Sequence, residues 1–207
     1  MRTTDPEQLL RAARDGDTTV LGQLLERYRN YLSLLARVQI GQRLQGKADE
    51  LDLVQETFLE AHKNFHRFQG TSEPQFAAWL RQILAANMAN LLRRYLGTQG
   101  RDIRLERDIA HAFDQSSMAL DRAFVAAESS PSQQASRREQ SVLLADALSE
   151  LPADYREALV LRHLEGLTFP QVAERMGRSV DSVEKLWLRG ITRLRKAVEG
   201  TLDETGR

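Results

Sequence analysis

Apolar positions recur every three to four residues along most of the chain and nowhere alternate with period two, so the pattern predicts an all-α fold. Leu9, Leu10 and Ala13 line a first helix opened by Asp5-Pro6, a capping residue followed by a proline in the first turn, and Gly16-Asp17 breaks it. Val20, Leu21, Leu24, Leu25, Tyr28, Leu32, Leu35 and Val38 then predict one longer helix to about Ile40, with Gly41 and Gly46 bracketing a short basic connector. In the segment Asp49 to Phe68 the apolar stripe is Leu51, Val54, Phe58 and Ala61. Ser72, Glu73 and Pro74 start a helix to about Leu96 that buries Phe76, Trp79, Leu80, Ile83, Leu84, Met88, Leu91 and Leu92. Residues 1–96 therefore read as a helical bundle.

From Gly97 to about Ser136 the periodicity weakens into a stretch rich in serine, alanine and glutamine, read as a linker over 97–136 with transient helix at Ser117 to Ala127. So long a connection either separates two domains or has a task of its own. Beyond it, residues 137–200 predict a second helical domain. Val142, Leu143, Ala145, Ala147 and Leu148 give one helix, and Tyr155, Ala158, Leu159 and Leu161 give another that starts at Pro152. The stretch Thr168 to Lys196 follows. Thr168 with Gln171 is a capping-box start, Pro170 lies in the first turn, Gly177 can stop the helix, and Ser179 can cap the next. Val172, Met176, Val183 and Leu186 form the wedge between the two crossed helices. That is a helix-turn-helix.

At 207 residues there is room for one large or two small domains. Lys plus Arg and Asp plus Glu both number 29, which argues against coating nucleic acid by bulk charge. Any DNA affinity must come from a local patch or a larger partner. The chain has no cysteine, hence no disulfide and no thiolate ligand or nucleophile. No apolar run reaches the ~20 residues that cross a bilayer, and there is no signal-peptide core, so the expectation is a cytoplasmic protein without membrane insertion. Phosphate-binding glycine loops, nucleophile elbows and zinc-protease helices are absent. His62 and His66 stand at i and i+4 without a third ligand. The expectation is a non-enzyme with no cofactor and no metal.

Three surfaces keep two readings each. Asp49, Asp52, Gln55, Glu56 and Glu60 make an acidic face that is either solvated or a docking site for a basic partner. Phe65 and Phe68, beside Gln69, Gly70, Thr71 and Ser72, either stack unpaired bases or plug the end of the bundle. The last helix carries Arg178, Lys185, Arg189, Arg193, Arg195 and Lys196 against Asp181 and Glu184. This stripe suits phosphate and base contact, or is an ordinary solvated basic face. A helix-turn-helix repressor with a helical sensor domain, and a helical adaptor that never touches DNA, are both compatible with these residues.

Taken together, DLVQETF, FAAWLRQILAAN and LPADYREALVLRHLEGLTFPQVAERMGRS followed by SVEKLWLRG resemble a bacterial RNA polymerase sigma factor of the extracytoplasmic-function (ECF) class. The likeness covers nearly the whole chain. It implies two helical domains, a region 2-like one over 1–96 and a region 4-like one over 137–200, joined by the linker. It implies that Asp49, Asp52, Gln55 and Glu56 dock on the clamp helices of the polymerase largest subunit, and that the flap is a further polymerase contact. By the same resemblance Asn64, Phe65, Phe68, Phe76 and Trp79 take the minus-ten element, where a base is unstacked, and Arg81, Asn87, Arg93 and Arg94 hold the strand or adjacent phosphates. Arg178, Ser179, Glu184, Lys185, Leu188 and Arg189 then read the minus-thirty-five element. Core RNA polymerase and promoter DNA are the implied partners, and the implied regulator is another protein, such as an anti-sigma factor.

Overall fold

Ten α-helices and one 3₁₀ turn make up the regular structure among the described residues, with no strand. The computed structural model describes residues 6–44, 48–96, 103–123 and 134–205. The chain divides into two units, Met1–Ser116 and Ser117–Arg207.

The first unit holds α1 (Pro6–Arg14), α2 (Thr18–Arg27), α3 (Arg29–Leu44), α4 (Glu50–Asn64), the 3₁₀ turn Phe65–Arg67 and α5 (Glu73–Leu96). Gly16 takes a φ of 100°, and Asp17 caps α2 by accepting from Thr19 and Val20 N–H. The single helix expected to about Ile40 is two helices. The chain turns at Tyr28 (φ −94°, ψ 0°), whose N–H bonds to Leu25 before α3 begins. Apolar spacing continues across the break, because Leu24, Leu25, Tyr28, Tyr31 and Leu32 are all buried, and so the periodicity does not reveal it. Gly41 lies inside α3 and does not close it; a helical glycine costs only ~1 kcal/mol.

In α4 the inward residues are Leu53, Val54, Thr57, Phe58 and Ala61. Leu51, expected inside, is 52% exposed, and Leu53 takes its place. Thr57 can sit in the core because its hydroxyl donates to Leu53 O at 2.8 Å and accepts from Asn87 Nδ2 at 3.3 Å.

The reading of 97–136 as a linker is corrected in its centre, where Ile103–Ala123 is a helix, α6. Ile109 and Phe113 are fully buried, and Ser116 is buried with its hydroxyl accepting from Gln39 Nε2 at 3.1 Å. Asp114 and Glu106 take Arg81 and Arg93 of α5 in ion pairs of 3.0 and 3.2 Å. The inward stripe of α6 is thus partly serine, which hides its helical period in sequence. Residues 97–102 and 124–133 of the expected linker lie outside the described residues.

In the second unit α7 (Gln134–Glu150) and α8 (Ala153–His163) support α9 (Phe169–Met176) and α10 (Val180–Thr205). Leu161, Val172, Ala173 and Val183 form a buried cluster, covered by Leu167, Phe169 and Met176. Gln171 Oε1 accepts from Thr168 N–H at 2.8 Å in the capping box, and Gly177 ends α9 at φ 62°. α10 crosses α8 at Gly190, where an added Cβ would lie 3.2 Å from Leu159 Cδ1 and 3.4 Å from Tyr155 Cβ. No helix among the described residues is long and apolar enough to cross a membrane.

Candidate nucleic-acid and partner interfaces

The outer face of α4 carries Asp52, Gln55, Glu56 and Glu60, all exposed. Asp49 is the helix cap, its carboxylate accepting from Leu51 N–H at 2.8 Å. Glu56 faces Arg94 of α5 at 3.8 Å, and both side chains stay largely in solvent, so the pair is worth little. Leu51 and Leu59 stand exposed on the same helix, at 52% and 53%. The stripe read from sequence missed both, since it placed Leu51 inside and passed over Leu59. Carboxylates and two exposed leucines thus share the outer side of α4.

Behind α4 the chain gathers four rings. Phe65 and Phe68 stack at 6.1 Å, and Trp79 lies 5.1 Å from Phe68 and 6.2 Å from Phe65. All three are half-buried. Phe76 meets Phe65 and Phe68 edge-on, at 6.2 and 5.5 Å, and Tyr28 at 5.4 Å. It is fully buried, so it is the floor of this group and not a contact; apolar burial takes the ring that the resemblance had offered to DNA. Asn64, partly buried, closes α4 by donating to Glu60 O at 3.0 Å. Gln75 Oε1 holds the loop by accepting the N–H groups of Thr71 and Ser72 at 2.7 and 3.2 Å.

The polar set expected along α5 is also corrected. Asn87 is 5% exposed and bonded to Thr57, so it is core. Arg81 donates to Tyr31 Oη at 3.1 Å and to Asp114 at 3.0 Å, with a side chain only 12% exposed. Arg93 is similarly tied to Glu106 and to Asn90. For the two arginines a carboxylate of α6, in the stretch expected to be a linker, occupies the cation; for Asn87 the partner is Thr57 of α4. Arg94 alone of the four projects into solvent.

On the helix-turn-helix, Ser179 caps α10, its hydroxyl accepting from Ser182 N–H at 3.3 Å. Arg178 is braced by Asp154 at 2.6 Å, and Lys185 pairs with Asp181 one turn back at 2.7 Å. Glu184, Leu188 and Arg189 are exposed on the same helix, Leu188 at 59%. Beneath them Trp187 is anchored between His163, whose Nε2 accepts its indole N–H at 2.9 Å, and Phe169, edge-on at 5.6 Å. Arg162 lies 5.1 Å over the Phe169 ring and donates to Leu167 O at 3.0 Å. Among the described residues no cluster of three or more metal-ligating side chains occurs.

An acidic-faced helix with an aromatic group behind it, in one unit, and a helix-turn-helix in the other define a two-unit, all-helical protein among the described residues. Residues 24–96 match the family model described as Sigma-70 region 2, and residues 141–194 match Sigma-70, region 4. Between them the two matches cover more than half of the chain. The chain is 28% identical over 196 residues to the ECF RNA polymerase sigma-E factor of Haemophilus influenzae, covering 95% of this chain and 94% of that one. It is 29% identical over 200 residues to the RNA polymerase sigma-H factor of Pseudomonas aeruginosa, covering 96% of each. Among solved structures it is similar to a chain of the CnrH complex with the cytosolic domain of CnrY, at 21% identity, 95% and 99% coverage and a TM-score of 0.32. The chain belongs to the sigma-70 family of RNA polymerase sigma factors and is of the ECF type.

Proposed function

We propose that this protein is an alternative sigma factor that binds core RNA polymerase and directs promoter-specific initiation. The observation that carries the reading is the presence of both sigma regions, in order, in one chain. Relatives of nearly equal length are named as sigma factors, which supports it.

Each surface takes a role under this reading. The exposed residues Asp52, Gln55 and Glu56, with Asp49 at the cap, dock on basic positions of the polymerase clamp helices, and Leu51 and Leu59 supply apolar area between them. Phe65, Phe68 and Trp79 receive an unstacked base of the minus-ten element, where stacking offsets the cost of leaving the duplex. Arg94 serves the adjacent phosphates. Arg178, Ser179, Glu184, Lys185, Leu188 and Arg189 face the major groove of the minus-thirty-five element. The formal net charge of zero fits a subunit whose nonspecific DNA affinity is supplied by the polymerase. The role uses binding energy and needs no catalysis, and it is exercised where the polymerase is, in the cytoplasm. A protein inhibitor that covers these faces is the form of control the reading accommodates.

The test is co-elution of the full chain with core RNA polymerase, followed by transcription from a pool of promoter fragments. Complex formation with discrete start sites supports the proposal. A chain that binds duplex DNA tightly alone and never joins polymerase would be a free-standing repressor.

A further inference from the structure

Arg14 closes α1, more than fifty residues from the aromatic loop, yet it ties that loop down. Its guanidinium donates to the carbonyl of Gly70 and lies over the Phe68 ring, 5.6 Å from the centroid. Gly70 presses on the same ring: a Cβ added there would fall 2.6 Å from Phe68 Cε2 and 2.8 Å from Gln75 Cβ. Phe65, Trp79 and Phe76 bound the ring from other directions, and Gln75 fixes the two N–H groups that follow Gly70. One arginine therefore sets both the ring and the backbone beside it. A guanidinium donates in its plane to a carbonyl while its flat face covers a ring; a lysine ammonium, a strongly hydrated point charge without a planar face, holds the two contacts less well.

We propose that Arg14 is a positioning residue for single-strand capture: it preorganises Phe68 and the Gly70 backbone to accept an unstacked base, without itself touching DNA. The inference rests on the reading of Phe65, Phe68 and Trp79 as the strand-capture group. Ordering a loop before binding removes an entropic cost that each encounter would otherwise bear.

The experiment uses holoenzyme assembled from the full chain and core polymerase. Its probe is a single-stranded oligonucleotide bearing the minus-ten sequence recovered from the promoter pool, with 2-aminopurine at the unstacked position. Arg14→Ala should weaken capture about five- to tenfold, while affinity for core polymerase and for a minus-thirty-five duplex stays at the wild-type value. Arg14→Lys should restore little. Gly70→Ala, which displaces the same ring, should give a similar loss, and the double variant should be no weaker than the worse single one. Unchanged capture by Arg14→Ala overturns the proposal. Full recovery with Arg14→Lys, and a shallower salt dependence for Arg14→Ala, would make Arg14 a phosphate contact instead. Additive losses accompanied by lost polymerase binding would reduce it to a stability residue. Wild-type holoenzyme that transcribes from its promoter but captures no single strand would refute the underlying reading, and the proposal with it.

Discussion

Trp187 donates its indole N–H to Nε2 of His163 at 2.9 Å, and the two rings stack at 6.1 Å directly beneath the exposed face of α10. The bond requires Nε2 to be an acceptor, so it exists only with the neutral imidazole. Partial burial lowers the His163 pKa from its ordinary value of 6.5, and the neighbouring charge of Arg162 adds to the effect. The folded unit then binds fewer protons than the unfolded chain below that value. Its stability is complete above about pH 6.5 and falls as pH drops through the folded pKa. Thermal unfolding followed by tryptophan fluorescence from pH 5 to 8 should show this decline, and His163→Gln, which keeps an acceptor but does not titrate, should flatten it. Equal pH dependence in both proteins would remove His163 from the account.

At Gly190 two opposing effects can be weighed. Alanine in a helix interior gains ~1 kcal/mol of propensity over glycine. Its Cβ would sit 3.2 Å from Leu159 Cδ1, 3.3 Å from Leu159 Cγ and 3.4 Å from Tyr155 Cβ, and Leu159 is itself fully enclosed. Overpacking of this kind costs ~1–3 kcal/mol. Gly190→Ala is expected to lose about 1 kcal/mol net in urea denaturation, and Gly190→Val more, since valine adds bulk without alanine's propensity. A stabilised alanine variant would mean that α8 and α10 separate freely at this point.

How much of this was legible in sequence varies with what carried the signal. The helix-turn-helix was readable because its boundaries are chemical: Thr168 and Gln171 pair, Gly177 takes a positive φ, and Ser179 caps. The acidic face of α4 was readable from charge spacing, but Leu51 was placed on the wrong side, since it and Leu53 differ only in where the neighbouring helix stands. Periodicity cannot see that. α6 was missed for the reason that Ser116 faces inward where a leucine would have announced a stripe. Missing α6 then left Arg81 and Arg93 without visible partners, and they were assigned to DNA instead of to Asp114 and Glu106. One unseen helix thus accounts for both misassigned arginines.

Those reassignments make a prediction. Asn87→Ala removes a buried hydrogen bond to Thr57 and should cost ~1–3 kcal/mol of stability in the first unit. Arg81→Ala, which leaves Tyr31 Oη and Asp114 without this donor, should likewise act on stability. Neither should change the affinity of intact holoenzyme for single-stranded minus-ten DNA once measured below the unfolding transition. A selective loss of DNA affinity with unchanged urea midpoint would restore them to the interface.

On the face of α4 proposed to dock on polymerase, charge and apolar area can be tested separately. Asp52→Lys with Glu56→Lys is expected to abolish association with core polymerase while circular dichroism stays unchanged, because neither carboxylate supports the fold beyond an exposed pair. Leu51→Ala with Leu59→Ala should weaken association by ~1–2 kcal/mol per leucine, chiefly through faster dissociation, and leave thermal stability at the wild-type level, since both side chains are half in solvent. Biolayer interferometry against core polymerase distinguishes the two effects: charge reversal acts strongly on the association rate and its salt dependence. If the leucine variant instead unfolds early, these residues belong to the core.

On α10 the exposed set proposed to face the bases mixes chemistries, and under that proposal the mixture predicts what it reads. Arg189 is exposed and suited to bidentate bonding with guanine, so Arg189→Ala should lose ~1–3 kcal/mol of promoter affinity and relax preference at one position. Leu188 can form no hydrogen bond, yet it is the most exposed large apolar side chain described, at 59%, one residue before that arginine. The feature of the major groove that rewards such a group is the thymine methyl. Replacing thymine by uracil at successive positions of the minus-thirty-five duplex should therefore weaken wild-type binding at one step, and Leu188→Ala should be indifferent to that replacement. Because the substitution deletes only a methyl from the base, a wild-type protein that ignores it everywhere would place Leu188 outside the groove. The register of α10 on the duplex would then have to be shifted toward Lys185 and Glu184.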